Sequence, residues 1–353
     1  MNLSYKIKSG LSLLLATIAL AASITGCGNK PAPKKEKNAL EDKVVIYSTH
    51  PEALLELVAK DFTTKTGVKV EFINLKGELA DRVRAEKDNP QADVMYGGAS
   101  SLFIEMSDEG LFQPLTPTWA KELDPMFKGA KNDWFGTIQT PVMMFYNTKI
   151  LAPEEAPKDW ADLADPKYQG KLVSRDTLSS SIRATLVSLV SQYKNPDAAW
   201  SYLKSLDNNI KNYYNSGTMQ FQAVGKGEAP ISFAVLSAIT QNIKDNKMPL
   251  KVIDAKSGSI VITDGIAAIK KAPHPNSAAA FVEFAGSKEM QIKLAQKQDR
   301  IPTLKAAIDQ SPDWMKAKYK YMPVDWKIIS ANQNKWLQKF ETEIKSSSKD
   351  VKK

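Results

Sequence analysis

The chain is poor in the residues that build most metal and nucleophilic centres. Its 353 residues include one cysteine and two histidines, His50 and His274. A single cysteine excludes an internal disulfide, and two histidines leave little room for a multi-histidine zinc site or catalytic centre. The chain has no G-x-x-x-x-G-K-[ST] loop to cradle nucleotide phosphates, and H-E-x-x-H and G-x-S-x-G are also missing. No arginine-rich block occurs. The net charge of +9 is spread along the chain, which gives nucleic-acid binding little support. Hydrophobic residues make up 43% and charged residues 25%, the balance of a globular protein with a sizeable core; a multi-span membrane protein is excluded.

What is present starts with a leader. Lys6 and Lys8 precede the apolar run Leu11–Ile24, which is short for a bilayer span but right for a signal-peptide core. The run ends in Ile24-Thr25-Gly26-Cys27, and small residues before a lone cysteine resemble the lipobox of bacterial lipoproteins. That resemblance implies cleavage after residue 26, a diacylglyceryl group on the Cys27 thiol and an acylated new amino terminus. Two or more acyl chains hold a protein firmly to a membrane, whereas one holds it marginally. Residues 27–42, rich in Pro, Lys and Ala, read as a flexible tether. Residues 346–353 read as a polar, disordered tail.

Between these ends strand and helix alternate. Val44–Tyr47 is a buried strand, and Pro51 opens a helix that Gly67 closes. Val68–Leu75 and Ala92–Tyr96 are further strands, with helices at Leu79–Lys87 and Leu102–Gly110. This order predicts a mainly parallel sheet with right-handed crossovers. Two long extended runs, Phe135–Asn147 and Ile260–Ile269, bracket a second α/β series. It holds strands at Gly170–Ser174 and Ile231–Leu236. Its helices lie at Ser181–Tyr193, Asn195–Leu206 and Thr218–Val224. Helices at Ser277–Ala285, Lys288–Gln296 and Trp326–Ile344 follow. The expectation is therefore an α/β protein of two lobes, each a mainly parallel sheet with helices on both faces, joined by a two-strand hinge with a cleft between them. Lobe 1 takes residues 43–140 and 264–297. Lobe 2 takes 141–263 and 298–345.

Several segments together resemble the extracytoplasmic solute-binding proteins of ABC importers, the type II periplasmic binding proteins of the ferric-binding and phosphorylated-solute-binding group. They are Thr66–Phe72 (TGVKVEF), Ala92–Ser100 (ADVMYGGAS), Ala223–Pro230 (AVGKGEAP), the stretch Thr263–Gln291, and Arg300-Ile301-Pro302. The likeness covers about residues 43 to 340. It implies a monomeric lipid-anchored protein outside the cell membrane that needs no cofactor and makes or breaks no bond. It would bind a small solute, close over it and deliver it to a membrane permease with a cytoplasmic ATPase.

In an open parallel sheet, ligands meet the loops at the carboxyl ends of strands. In the first lobe this selects Ser48, Thr49 and His50, then Lys76, Gly77 and Glu78, then Gly97, Gly98, Ala99 and Ser100. In the second it selects Arg175, Asp176 and Thr177, with Ser179, Ser180 and Ser181. Pro51 at the first helical position would leave the amides near His50 open to an anion. Gly97-Gly98 would let the backbone approach a ligand. Three serines at a helix start suit phosphate or phosphonate, and Arg175 can pair with the same anion or with Asp176. Glu78 and Asp264 could accept hydroxyls or an amine. Tyr214, Ser216 and Trp134 are further cleft candidates.

The resemblance also bears on the solute. Ferric-binding relatives carry a Tyr-Tyr pair after the Gly-Glu turn, where this chain has Ile231–Val235. They carry a carboxylate where this chain has Gly97-Gly98, and only His50 matches a ferric ligand position. The expected solute is a sugar phosphate or other organophosphate, a pyrophosphate or a phosphonate, with no metal. Ferric iron and polyamine- or thiamine-type solutes remain as alternatives, and a lipoprotein hydrolase as a remote one.

Overall fold

The structure, a computed structural model, describes residues 39–75 and 78–351. The leader, Cys27, most of the tether, Lys76 and Gly77 lie outside the described residues. The first βα series runs β1 (Lys43–Ser48), α1 (Glu52–Thr66), β2 (Lys69–Asn74), α2 (Leu79–Ala85), β3 (Val94–Ala99), α3 (Ser100–Asp108) and the short β4 (Phe112–Gln113). The long strand β5 (Phe135–Asn147) leads to β6 (Leu172–Arg175), α4 (Ser180–Ser191), α5 (Pro196–Asn209), β7 (Ile210–Tyr214), α6 (Gly217–Lys226), β8 (Ile231–Val235), α7 (Leu236–Lys244) and β9 (Leu250–Ile253). The long strand β10 (Ile260–Ile269) returns to α8 (Pro275–Ala285), α9 (Lys288–Gln298), β11 (Ile301–Pro302), α10 (Lys305–Ile308), α11 (Trp326–Lys339) and β12 (Asp350–Val351). Among the described residues no helix is long and apolar enough to cross a membrane.

The two expected sheets are continuous through the two long strands. The order is β12-β7-β6-β8-β5-β10-β3-β1-β2. β1 lies parallel to β2 and β3 in one half, and β6 lies parallel to β7 and β8 in the other. β5 and β10 run antiparallel to each other over Phe135–Val142 and Ile260–Ile266. From Val142 β5 goes on to pair with β8, and from Asp264 β10 pairs with β3. Each strand therefore belongs to both halves.

Side chains of a strand alternate between its faces, so a sheet covered on both sides needs apolar residues at every position. β1 shows this directly. Val44 and Ile46 pack into one core with Phe62 and Phe281, while Val45 and Tyr47 pack into another with Phe103 and Phe112. In the second half Leu172 and Phe233 face one core, and Val173 and Ala234 the opposite one. Leu304 and Ala307, late in the chain, pack into a core of the first half.

Three local expectations change. Pro51 is the residue before α1 rather than its first helical residue, with φ −56° and ψ 144°, and no side chain caps the helix. Residues 41 and 42 belong to the fold rather than the tether. His274 gives α8 no side-chain cap, and the Glu41 carboxylate takes its place, accepting from the Ser277 amide at 2.7 Å. The chain end does not fray over Ser346–Val351: Asp350 and Val351 pair in parallel with Tyr213 and Tyr214, and Lys349 binds Asp207.

Where β5 and β10 cross, Gly265 faces Gly136 across a bulge. A Cβ on Gly265 would lie 2.6 Å from the ring of Phe103, which is fully buried. Gly265→Ala should therefore destabilise by about 1–3 kcal/mol through overpacking. Chemical denaturation of the two proteins reads the difference, and an unchanged midpoint would contradict the packing described here.

Candidate functional site

The first half of the site is built by the carboxyl ends of β1 and β3. Gly97 and Gly98 hold φ of +96° and +104°, in the region that favours glycine. A Cβ on Gly97 would sit 2.7 Å from Thr49 Oγ1 and 3.1 Å from His50 Nε2, so these two side chains close over bare backbone. Ser48 is fully buried: its hydroxyl donates to the Tyr96 carbonyl at 2.5 Å and accepts from the His50 amide at 3.0 Å. It ties β1 to β3 and is committed to the frame. His50 is 5% exposed, its ring stands edge-on to Tyr96 at 4.5 Å, and its Nε2 has no partner.

Asp264 stands where β10 leaves β5 for β3, opposite Ala99. Its Oδ2 accepts from Thr140 Oγ1 at 3.2 Å, and the Gly98 amide also donates to the carboxylate. Arg300, on the loop between α9 and β11, completes the group. Its charge acts on His50, Tyr96 and Asp264, and its Nε is buried without a partner. With Gln139, Thr140, Leu236 and Ser237 it lines a void of about 10 Å³, space for roughly one water.

The second half of the site is the rim of β6 and β7. Arg175 ends β6, donates to the Asn215 carbonyl at 3.3 Å, and keeps a buried Nε without a partner. It lies 3.9 Å from where a Cβ on Gly217 would be, at the start of α6. Neither α4 nor α6 has a side-chain cap: Ser179 and Ser216 occupy the cap positions and bond no helix amide. Ser179 and Ser181 hydroxyls lie 3.0 Å apart, and Ser180 is exposed. Uncapped amides at two helix starts, with a guanidinium beside one of them, are suited to an anion.

Other expected residues sit elsewhere. Thr177 is bonded to Glu341 near the chain end. Tyr214 is buried, with its hydroxyl on Glu228 at 2.9 Å. Trp134 packs against Phe103 in the core. Glu78 is exposed at the start of α2. Two participants escaped the sequence reading. Arg300 is an isolated charge in a loop, whose one signal is its place before Ile301-Pro302. α11 packs on both α3 and α4, and Gln333 accepts from Ser101 Oγ at 3.3 Å. Ser101 lies beside Ser100 at the start of α3, so α11 bridges the two sides.

The buried charges make opposite contributions to acid stability. Burial, helped by the Arg300 charge, lowers the His50 imidazole from 6.5 to about 3. Protonation therefore favours the unfolded chain, and His50's stabilisation, complete above pH 6.5, falls by about 2 kcal/mol at pH 5. Burial raises the Asp264 carboxyl from 3.8 to about 6, against the Arg300 charge, the Thr140 hydroxyl and the Gly98 amide. Protonation there favours the folded chain, which gains on the order of 1 kcal/mol at pH 5. The two oppose each other, with the His50 loss the larger. Between pH 7 and pH 5, Asp264→Asn should lose more stability than the parent, and His50→Gln should lose less or gain. Urea titrations at both pH values read this, and identical pH dependence in all three proteins would contradict the assigned burial.

Comparison with known proteins agrees with this architecture. Residues 58–323 match the family model described as bacterial extracellular solute-binding protein. A "Probable ABC transporter periplasmic-binding protein" of Sinorhizobium fredii is 32% identical over 318 residues, covering 87% of this chain and 88% of its own. The apo ferric ion-binding protein A of Pasteurella haemolytica superposes with a TM-score of 0.78 at 20% identity, over 87% of this chain and all of its own. AfuA of Actinobacillus pleuropneumoniae, solved with fructose-6-phosphate bound, superposes with a TM-score of 0.71 at 27% identity, over 86% of this chain and 98% of its own. The fold is the two-lobed one of these periplasmic binding proteins. With the family model matched over most of its length, the chain belongs to the bacterial extracellular solute-binding proteins.

Proposed function

We propose that this protein is the solute-capture component of an ABC importer and that its solute is a small phosphorylated or phosphonate-bearing organic anion. The observation that carries the ligand class is the rim of β6 and β7, where Arg175 stands beside the uncapped start of α6 and close in the chain to that of α4. Such a rim offers amides and a guanidinium to a phosphoryl group without dehydrating a metal. Relatives point both ways, since ferric-binding proteins and a sugar-phosphate-bound protein share the fold. The tyrosines favour the anion. Tyr213 and Tyr214 donate to Asp207 and Glu228, so neither phenol is turned to a cleft ligand.

Capture then follows from the frame. The two halves of the sheet, one carrying β1, β2 and β3 and the other β6, β7 and β8, turn about β5 and β10. The α11 contacts with α3 and α4 hold the closed arrangement. His50, Thr49 and Asp264 offer polar groups to the rest of the solute. No step makes or breaks a bond, and the solute leaves unchanged for the permease. The Cys27 acyl chains keep the protein at the outer face of the cell membrane.

A thermal-shift series tests the ligand class. Phosphorylated compounds at 100 times their dissociation constant should stabilise by about 2.7 kcal/mol, and Arg175→Gln should weaken binding by roughly 10-fold or more. Stabilisation by ferric salts alone, with no response to phosphorylated compounds, would overturn the choice. For the anchor, Cys27→Ser should move the protein from the membrane to the soluble fraction, and an unchanged distribution would contradict lipidation.

A further inference from the structure

Among the described residues Arg300 makes no ion pair, although its charge is felt at the Asp264 carboxylate. Asp299 closes α9 with φ 52°, a left-handed turn that carries the next residue back against β5, where Ile301 and Pro302 pair with Gln139 and Ile138. Arg300 is thereby anchored at the crossing of β5 and β10, beside Thr140 and Ser237. Ser237 belongs to the first turn of α7, a nine-residue helix whose start also lacks a side-chain cap. None of the ion pairs among the described residues includes Arg300, and its Nε is cut off from solvent without an acceptor. A guanidinium with a desolvated, unpaired nitrogen is costly in the empty protein and attractive to an acid group in the loaded one.

We propose that Arg300, with the start of α7, forms a second anion subsite, so that the solute carries two acidic groups: the phosphoryl group at Arg175 and a carboxylate or second phosphoryl group at Arg300. This rests on the reading of the rim of β6 and β7 given above. The sheet order fixes the spacing. Arg175 ends β6, Thr140 lies on β5, and only β8 separates them. Arg175 stands level with Ala234 and Met143, and Arg300, next to Ile301 opposite Gln139, stands level with Thr140, so at about 3.3 Å per residue and 4.7–4.9 Å per strand the two anchors are roughly 10 Å apart, mostly along the strands. That is the length of a phosphorylated six-carbon acid. Thr140 and Asp264, at the Arg300 end on β5 and β10, are left for hydroxyls there.

Isothermal titration calorimetry on the purified protein with a matched pair of probes tests this. Sorbitol 6-phosphate and 6-phosphogluconate share six carbons and one phosphate, and differ by a carboxylate in place of a CH2OH at the far end. The parent protein should bind 6-phosphogluconate at least 10-fold more tightly. Arg300→Gln should erase that preference while leaving sorbitol 6-phosphate within 3-fold, and Arg300→Lys should restore part of it. Arg175→Gln should weaken both probes alike. Equal affinities in the parent protein would overturn the second subsite without any variant, and so would an equal loss of both probes in Arg300→Gln. In either case the phosphoryl reading would stand. Binding of neither probe, together with no thermal shift from inorganic phosphate, would remove the phosphoryl reading and this inference with it.

Discussion

The antiparallel pairing of β5 with β10 is the constraint on which the rest of this molecule depends. Over the stretch Phe135–Val142 against Ile260–Ile266 the two halves of the sheet share strands. Everything polar and buried at the centre hangs on it. Asp264 sits at the bulge where β10 leaves β5, Thr140 lies on the adjoining strand, and β11 adds to its edge to bring in Arg300. A shift of one residue in this register would turn these side chains to the opposite face. The glycines at the crossing, Gly136 and Gly265, keep the strands close and leave room for Thr263 and Phe103.

Around that crossing, charge is placed where water is scarce. Burial disfavours the charged forms of His50 and Asp264; the Arg300 charge adds to this at His50 and offsets part of it at Asp264. A protein that only had to fold would do as well with apolar groups there. Retaining an unpaired arginine, a histidine nitrogen without a partner and a carboxyl raised to about 6 makes sense if a solute completes the network. On the proposed reading the solute supplies the missing partners, and α11, packed on both α3 and α4, holds the two sides together around it.

Much of the frame was legible in the sequence because its signals are local. Phe135–Asn147 and Ile260–Ile269 run as long stretches of extended-forming residues and emerge as strands with those bounds. Glycine and proline punctuation located α1 within a few residues. What escaped lacks such signals. β7 has polar residues at Lys211 and Asn212 and no clean alternation, and α7 buries only Leu236 and Ile239. At the site, strand ends could be picked out, so Thr49, His50, Gly97, Gly98, Arg175 and Asp264 were within reach. Which hydroxyls are spent within the fold could not be read. Ser48 and Tyr214 are satisfied by Tyr96 and Glu228, neighbours 48 and 14 residues away. Arg300 is brought in by a β11 pairing more than 160 residues distant in the chain, which no local pattern encodes.

The most direct test of the account is the identity of whatever small molecule travels with the protein. Purified from its native envelope, denatured, and analysed by mass spectrometry and metal analysis together, it should release a phosphorus-bearing organic anion at close to one per chain and no stoichiometric iron. Release of iron at one per chain, with no phosphorylated organic compound, would contradict the central claim.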